Sequence, residues 1–385
     1  MNDLTPLQTP LAIAEDLAVH FAEGAARYDR SGAFPHDNFE ALRKSGLPGL
    51  LVPRRLGGQG QGLHQAQAVI GALARGEPST ALVLAMHYNH HGVMAHHQRW
   101  PAPIQERLQR EAAAGGGLIN AVQVEPGLGS PAHGGRPETI ARRAGDSWRI
   151  SGHKSYATGL PGLAWLSVLA VTDEAEPRLA SFLVRGDAPG LRQVETWNAT
   201  GMRATASHDL ILDDVATPLD HASAWQPASE PLRRDPEVGQ WFFTLSAAVY
   251  DGVARAARDW LVGFLTRHAP PSLGAPLASL PRFQDGVGRI QVLLATNARL
   301  LASIGRDVDA GRSTGADAGL IRHVVVDNAV AVTELALELA GNPGLSRDSP
   351  LERHHRDALT GRAHAPQNAL IRTQAGKAAL AAGLA

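Results

Sequence analysis

Apolar residues recur at helical spacing over most of the first 118 positions, and the breaks between the periodic runs carry turn chemistry. Thr9-Pro10 offers a capping hydroxyl followed by a residue that needs no N–H partner, which predicts a helix over 11–28 that ends ahead of Arg30-Ser31-Gly32. A second run over 34–45 stops at Gly46, and a third over 63–75 is broken by Gly76-Glu77-Pro78. Between them, Val52-Pro53-Arg54-Arg55-Leu56-Gly57-Gly58-Gln59-Gly60 reads as a loop whose glycines let the backbone approach closely.

From Ile119 to about Pro218 the period shortens to that of strands. Segments 139–144 and 148–152 flank Gly145-Asp146-Ser147 as a hairpin, and 166–172 and 179–185 flank a polar loop as a second pair. Helical spacing returns over 241–268, 280–311, 316–340 and 350 to the end, with Gly- and Pro-rich breaks of the length that short helix-to-helix connections need. Four long helices with short loops predict an up-down bundle. The layout is therefore mainly α with a β domain: a helical domain over 1–118, a β barrel-like domain over 119–222 and a four-helix bundle over 223–385, with 226–238 as the linker.

Composition narrows the function. At 385 residues and 44% hydrophobic, the chain has material for two or three packed units. A formal net charge of -1 supplies no field for nucleic acid or an anionic membrane, so neither is an expected partner. With no Cys there is no disulfide framework and no thiolate metal site. Neither a charged leader with an apolar run nor a membrane-length apolar stretch is present, so the cytoplasm is the expected location.

The candidate chemistry lies in the centre and tail. Val124-Glu125-Pro126-Gly127-Leu128-Gly129-Ser130 is a Gly-rich turn entering the β region, and Ile150-Ser151-Gly152-His153-Lys154-Ser155-Tyr156-Ala157-Thr158-Gly159 is a strand carrying an aromatic and a hydroxyl. With the loop at 52–60, the strand region 200–215 and the order of the three domains, these segments resemble the acyl-CoA dehydrogenase superfamily over nearly the whole chain. The resemblance implies a flavin, FAD or FMN. It places Val124, Gly129 and Ser130 against the cofactor, with Val124 where a Thr is common. Tyr156 would lie beside the isoalloxazine and Thr158 near its N5. It also implies a homotetramer. In many members an Arg-x-x-Phe-Gly loop after the first bundle helix meets the adenosine diphosphate of FAD; here Pro270 stands at the Arg position, which brings FMN into competition.

The dehydrogenase base is missing from the pattern. The two positions at which family members carry a carboxylate fall on Ala365 and Phe242. The tail Pro350-Leu351-Glu352-Arg353-His354-His355-Arg356-Asp357, followed by His364, is instead similar to the branch that oxygenates substrates with reduced flavin from a separate reductase, including dibenzothiophene and hydroxyphenylacetate monooxygenases. That similarity marks His364 as a group able to hold or move a proton near neutral pH. His87 is marked in the same way, with His90 and His91 as alternates; their spacing could bind zinc, but no acidic or Cys partner is near in sequence, so no metal is expected. The expected activity is a two-component monooxygenase acting on a small organic or heteroatom substrate, with His364, His87 and Thr158 as its catalytic groups. The alternatives are an acyl-CoA dehydrogenase and a non-catalytic flavin-binding protein.

Overall fold

The computed structural model describes residues 8–128, 135–233, 235–313 and 315–383. Gly129 and Ser130 lie outside the described residues. Five helices open the chain: α1 (Pro10–Ser31), α2 (His36–Ser45), α3 (Leu63–Gly76), α4 (Pro78–His96) and α5 (Ala102–Ala113). The Thr9 hydroxyl caps α1 by accepting the Ala12 N–H at 3.2 Å. That helix runs to Ser31, past the predicted stop, because Gly32 at φ 70° provides the left-handed cap.

The centre is an eight-stranded sheet in the order β6-β7-β3-β2-β4-β5-β8, with β1 pairing parallel to β4. Its strands are β1 (Ile119–Val122), β2 (Ile140–Ala144), β3 (Ser147–Ala157), β4 (Trp165–Thr172), β5 (Arg178–Arg185), β6 (Leu191–Val194), β7 (His208–Pro218) and β8 (Ala222–Pro227). Both predicted hairpins are present, as β2·β3 and β4·β5.

The C-terminal helices are α6 (Pro236–Arg267), α7 (Pro281–Asp309), α8 (Ala316–Ala340), the single turn α9 (Asn342–Leu345), α10 (Pro350–Ala363) and α11 (Asn368–Ala382). Helix α6 joins two cores. Its first half packs Trp241, Leu245, Ala248 and Val249 among the N-terminal helices, and its second half packs Ala254, Ala257, Leu261 and Leu265 among the bundle helices. Gly92 makes the first contact possible, since a Cβ there would lie 2.4 Å from the Trp241 ring. The last bundle helix, predicted as one run, is broken between α10 and α11. Pro366 has no N–H to give and keeps its predecessor out of the helical region. The break exposes the end of α10 at His364.

Candidate active site

Two clusters face the junction of sheet and bundle. The first is built where β3 ends. Lys154 is fully buried and donates to Glu125 at 2.6 Å, while the same carboxylate accepts the Thr139 hydroxyl at 2.6 Å and the N–H groups of Glu138 and Thr139. Burial pushes the Glu125 carboxyl up, and these donors hold it below its ordinary value. The pair pins the turn entering the β domain onto β3, and Val124 adds a carbonyl that accepts the Ser155 N–H at 2.9 Å.

Immediately beyond, the backbone leaves its ordinary regions. Tyr156 sits at φ 56°, Met202 at 51° and Ala206 at 43°, three of the five non-glycine residues with positive φ among those described. Strain of this kind persists only where surrounding structure holds it, and it gathers at functional sites. The segments are tied together, for the Gly159 N–H donates to the Thr205 carbonyl at 2.8 Å. The Tyr156 ring is 63% exposed and stands edge-on to Trp197, with centroids 6.2 Å apart. An exposed aromatic on a strained strand end is a platform that a flat ring could cover.

Beside it runs a chain of three hydroxyls. Thr158 Oγ1 lies 3.0 Å from Ser207 Oγ, which lies 2.8 Å from Thr205 Oγ1, and Thr205 donates to the Met202 carbonyl at 2.9 Å. Counting protons sets the direction. Thr205 spends its hydrogen on Met202, so Ser207 donates to Thr205 and Thr158 donates to Ser207. Thr158 Oγ1 is then left with accepting capacity only.

The second cluster gathers at the end of α10. His364 Nδ1 lies 3.2 Å from the Tyr250 hydroxyl, and its ring meets Phe242 edge-on at 5.3 Å. Phe242, one of the two positions that the family resemblance pairs with a dehydrogenase base, thus lies against His364, the residue before the other, Ala365, and neither position carries a carboxylate. Among the described residues no Asp or Glu hydrogen-bonds or ion-pairs with His364. Burial and the Arg322 cation lower its pKa to about 3, so the ring is neutral at neutral pH.

The sheet is docked onto this helix from the opposite side. Asp357 Oδ1 accepts the Met202 N–H at 2.6 Å, and Arg356 donates to the Thr200 carbonyl at 2.6 Å while pairing with Asp29 and Glu352. Gly201 fits between them, as a Cβ there would lie 2.3 Å from the Arg356 carbonyl. Burial raises the Asp357 carboxyl to about 7.

His87 departs from its expected role. Its Nε2 lies 3.0 Å from the Pro48 carbonyl and its Nδ1 accepts the Ile119 N–H at 3.3 Å, within a fully packed core. Both ring nitrogens are engaged by backbone, and burial lowers its pKa to about 4, so it serves as a joint between α4, the 47–49 turn and β1. The alternates differ: His91 is fully buried, its ring 4.3 Å from that of His87, with neither nitrogen hydrogen-bonded among the described residues. Ser207, Tyr250 and Arg322 carry no local mark in the sequence that assigns them to these clusters.

The acyl-CoA dehydrogenase N-terminal, middle and C-terminal domain models match residues 12–100, 122–215 and 244–369. The chain is 31% identical over 355 residues to the putative acyl-CoA dehydrogenase YdbM of Bacillus subtilis, covering 91% of each. It is 29% identical over 360 residues to the amino sugar nitrososynthase DnmZ of Streptomyces peucetius, covering 88% of this chain and 85% of that one. Among solved structures, KijD3 in complex with FMN and dTDP-3-amino-2,3,6-trideoxy-4-keto-3-methyl-D-glucose superposes with a TM-score of 0.83 at 26% identity, over 97% of this chain and 95% of that one. Butyryl-CoA dehydrogenase from Megasphaera elsdenii shares the fold, with a TM-score of 0.85 at 20% identity over 99% and 100% of the two chains. The chain belongs to the acyl-CoA dehydrogenase family, and its relatives there are flavin-dependent oxidoreductases: acyl-CoA dehydrogenases, nitrososynthases and monooxygenases.

Proposed function

We propose that this chain is a reduced-flavin-dependent monooxygenase that oxygenates a heteroatom, an amine nitrogen foremost, on a small substrate. The observation that carries the reading is the meeting of Phe242 and His364 beside Ala365, where the two positions at which a dehydrogenase needs a carboxylate hold a phenyl ring and a methyl group. Neither Phe242 nor His364 can take an α-proton from a thioester: one has no basic atom, and the other stays unprotonated only because its pKa is low, which makes it a poor base. The amine is suggested by DnmZ, named for amino sugars, and by the amino sugar nucleotide held by KijD3.

The residues present fit a flavin. Tyr156 offers a ring-sized platform, Thr158 offers an acceptor at its edge, and Gly159 and Gly201 keep the surrounding backbone close. Bound reduced flavin supplies the electrons that activate O2. The chain itself supplies the enclosure: Phe242 sets an apolar ring against water, and neutral His364 places a hydrogen-bonding ring beside it. FMN is favoured over FAD because Pro270 replaces the expected cation, and KijD3 was captured with FMN. A separate reductase would deliver the reduced cofactor. A homotetramer accords with the apolar side chains left exposed on the bundle, among them Val292, Leu345 and Leu380.

A dehydrogenase is the second reading, favoured by YdbM and by Asp357, a buried carboxyl titrating near 7 on the helix that leads to His364. The test has two arms. Anaerobic mixing of FMN- or FAD-loaded protein with an acyl-CoA panel is expected to leave the flavin oxidised. Aerobic assay with a flavin reductase and amino sugar nucleotides is expected to give an N-oxygenated product, with His364→Ala diverting turnover to hydrogen peroxide while flavin affinity holds. Rapid bleaching in the first arm refutes the monooxygenase reading.

A further inference from the structure

A phenol is buried against the end of α10. Tyr250 is 1% exposed, and its ring lies flat enough on α10 that a Cβ at Gly361 would come within 3.1 Å of it and within 2.9 Å of Val326. The glycine therefore admits the tyrosine. Among the described residues the phenol oxygen meets hydrogen-bond geometry with His364 Nδ1 at 3.2 Å, while the nearby Thr360 hydroxyl spends its hydrogen on the Asp357 carbonyl at 2.6 Å. Burial raises the phenol pKa, so it keeps its proton throughout the physiological range.

Arg322, fully buried on α8, fixes the other side of the same histidine. Its guanidinium donates to the carbonyls of His364 at 2.7 Å, Pro366 at 2.9 Å and Gly361 at 3.3 Å, and to the Ser246 hydroxyl at 3.2 Å. Ser246 in turn donates to the Phe243 carbonyl at 3.1 Å. The carbonyls at the end of α10 would be orphans without these donors. The backbone at 361–366 is thereby held to α6 and α8 independently of the imidazole.

With the backbone fixed, the tautomer decides what the ring can do. If Nδ1 carried the proton, it would donate to the phenol oxygen and leave the buried phenol hydrogen with no acceptor in hydrogen-bond geometry among the described residues, the Thr360 oxygen being near but not aligned. If Nε2 carries it, the phenol donates to Nδ1, and the proton without a protein partner sits on Nε2, which is not among the fully buried unpartnered atoms of the described residues. An orphaned buried donor biases such a choice by about tenfold or more. Nε2 makes no hydrogen bond with the described residues.

We infer that Tyr250 is a positioning residue that locks His364 in the Nε2–H tautomer, so that the ring offers one hydrogen-bond donor to whatever oxygen or nitrogen atom lies beside it. This deepens the monooxygenase reading and rests on it for its functional meaning, but the tautomer itself is a property of the chain. A neutral Nε2–H donor recognises an acceptor atom, such as a carbonyl, hydroxyl or peroxide oxygen, and cannot serve as the acceptor for a substrate N–H or O–H.

The test is long-range 1H–15N correlation on full-length protein labelled with 15N-histidine, with and without FMN, His364 being assigned by its loss in His364→Gln. The expected result is a single Nε2–H form across pH 6–8. In Tyr250→Phe, which removes one oxygen and keeps the ring, the preference is expected to fall by about tenfold and the His364 pKa to rise, because the donor that favoured the neutral ring is gone. Turnover of the same variant with reduced FMN is expected to yield a larger share of hydrogen peroxide, with circular dichroism and flavin affinity unchanged. An Nδ1–H ring in the wild type, or an unchanged ratio in Tyr250→Phe, overturns the inference. A correct tautomer with no oxygenation leaves the inference standing and removes the monooxygenase reading.

Discussion

Replacing Ser207 by Ala tests the direction of the hydroxyl chain. In the wild type the Thr158 hydrogen is spent on Ser207 Oγ at 3.0 Å, so Thr158 Oγ1 can only accept. Reduced flavin carries a hydrogen on N5 and oxidised flavin does not, so an acceptor at that edge prefers the reduced form. Ser207→Ala removes one oxygen from a residue that is 4% exposed and leaves Thr205 bonded to Met202. The freed Thr158 hydrogen then becomes a donor, matched to the unprotonated N5 of the oxidised cofactor. One such bond contributes roughly 0.5–1.5 kcal/mol net, which is about 2- to 12-fold in affinity. The ratio of reduced to oxidised FMN affinity is therefore expected to fall by about that factor, mainly through tighter binding of the oxidised form. Anaerobic calorimetry with dithionite-reduced FMN, beside aerobic titration with FMN, reads both constants. Thr158→Val, which has neither donor nor acceptor, should discriminate least. Equal changes in the two constants, or none, would show that the hydroxyls do not set the polarity or that Thr158 does not meet N5.

Two further predictions concern stability. Burial depresses the pKa of His87 to about 4 and of His90, His354 and His364 to about 3, from 6.5 when unfolded. Between those values the unfolded chain binds protons that the native chain refuses, so stability rises with pH there and falls on acidification from about 6.5 toward 4, by roughly 3 kcal/mol for His87 alone. Asp357, raised to about 7 from 3.8, opposes this by roughly 4 kcal/mol because the native chain takes up its proton first, but it is one group against four. Tm measured from pH 8 to 4 should still drop before the ordinary carboxylates titrate, and a flat profile to pH 4.5 would contradict it. Lys154→Met leaves the Glu125 carboxylate buried without its cation and should cost about 3–5 kcal/mol in denaturant unfolding, much of it recovered in the double variant with Glu125→Gln; a loss under about 1 kcal/mol would mean that Thr139 and the backbone donors suffice.

The elements legible in the sequence are those whose signal is local. Thr9-Pro10 writes its own cap, and Gly145-Asp146-Ser147 its own hairpin. Strands β6 and β8 carried no such mark: β6 is four residues long at the sheet edge, so no alternation develops in it. His87 shows the limit in the other direction. Its place in the sequence suggested chemistry, yet whether an imidazole is free depends on which carbonyls and N–H groups surround it, and Pro48 and Ile119 arrive from 39 residues before and 32 after.

The site's working parts were hidden for the same reason. Tyr250 and Arg322 sit inside helical runs in which apolar residues recur at helical spacing, and each reads there as a surface or core residue of no special use. Their meaning comes from the break that Pro366 makes between α10 and α11. An unbroken helix would satisfy the carbonyls of Gly361 and His364 by itself; once it stops, those groups need outside donors, and Arg322 is buried to provide them. The same break turns His364 toward Phe242 and Tyr250. Pro366, passed over when 350 to the end is read as one helix, is thus also what creates the demand for a buried cation and brings a histidine to the edge of the place where a dehydrogenase holds its carboxylate.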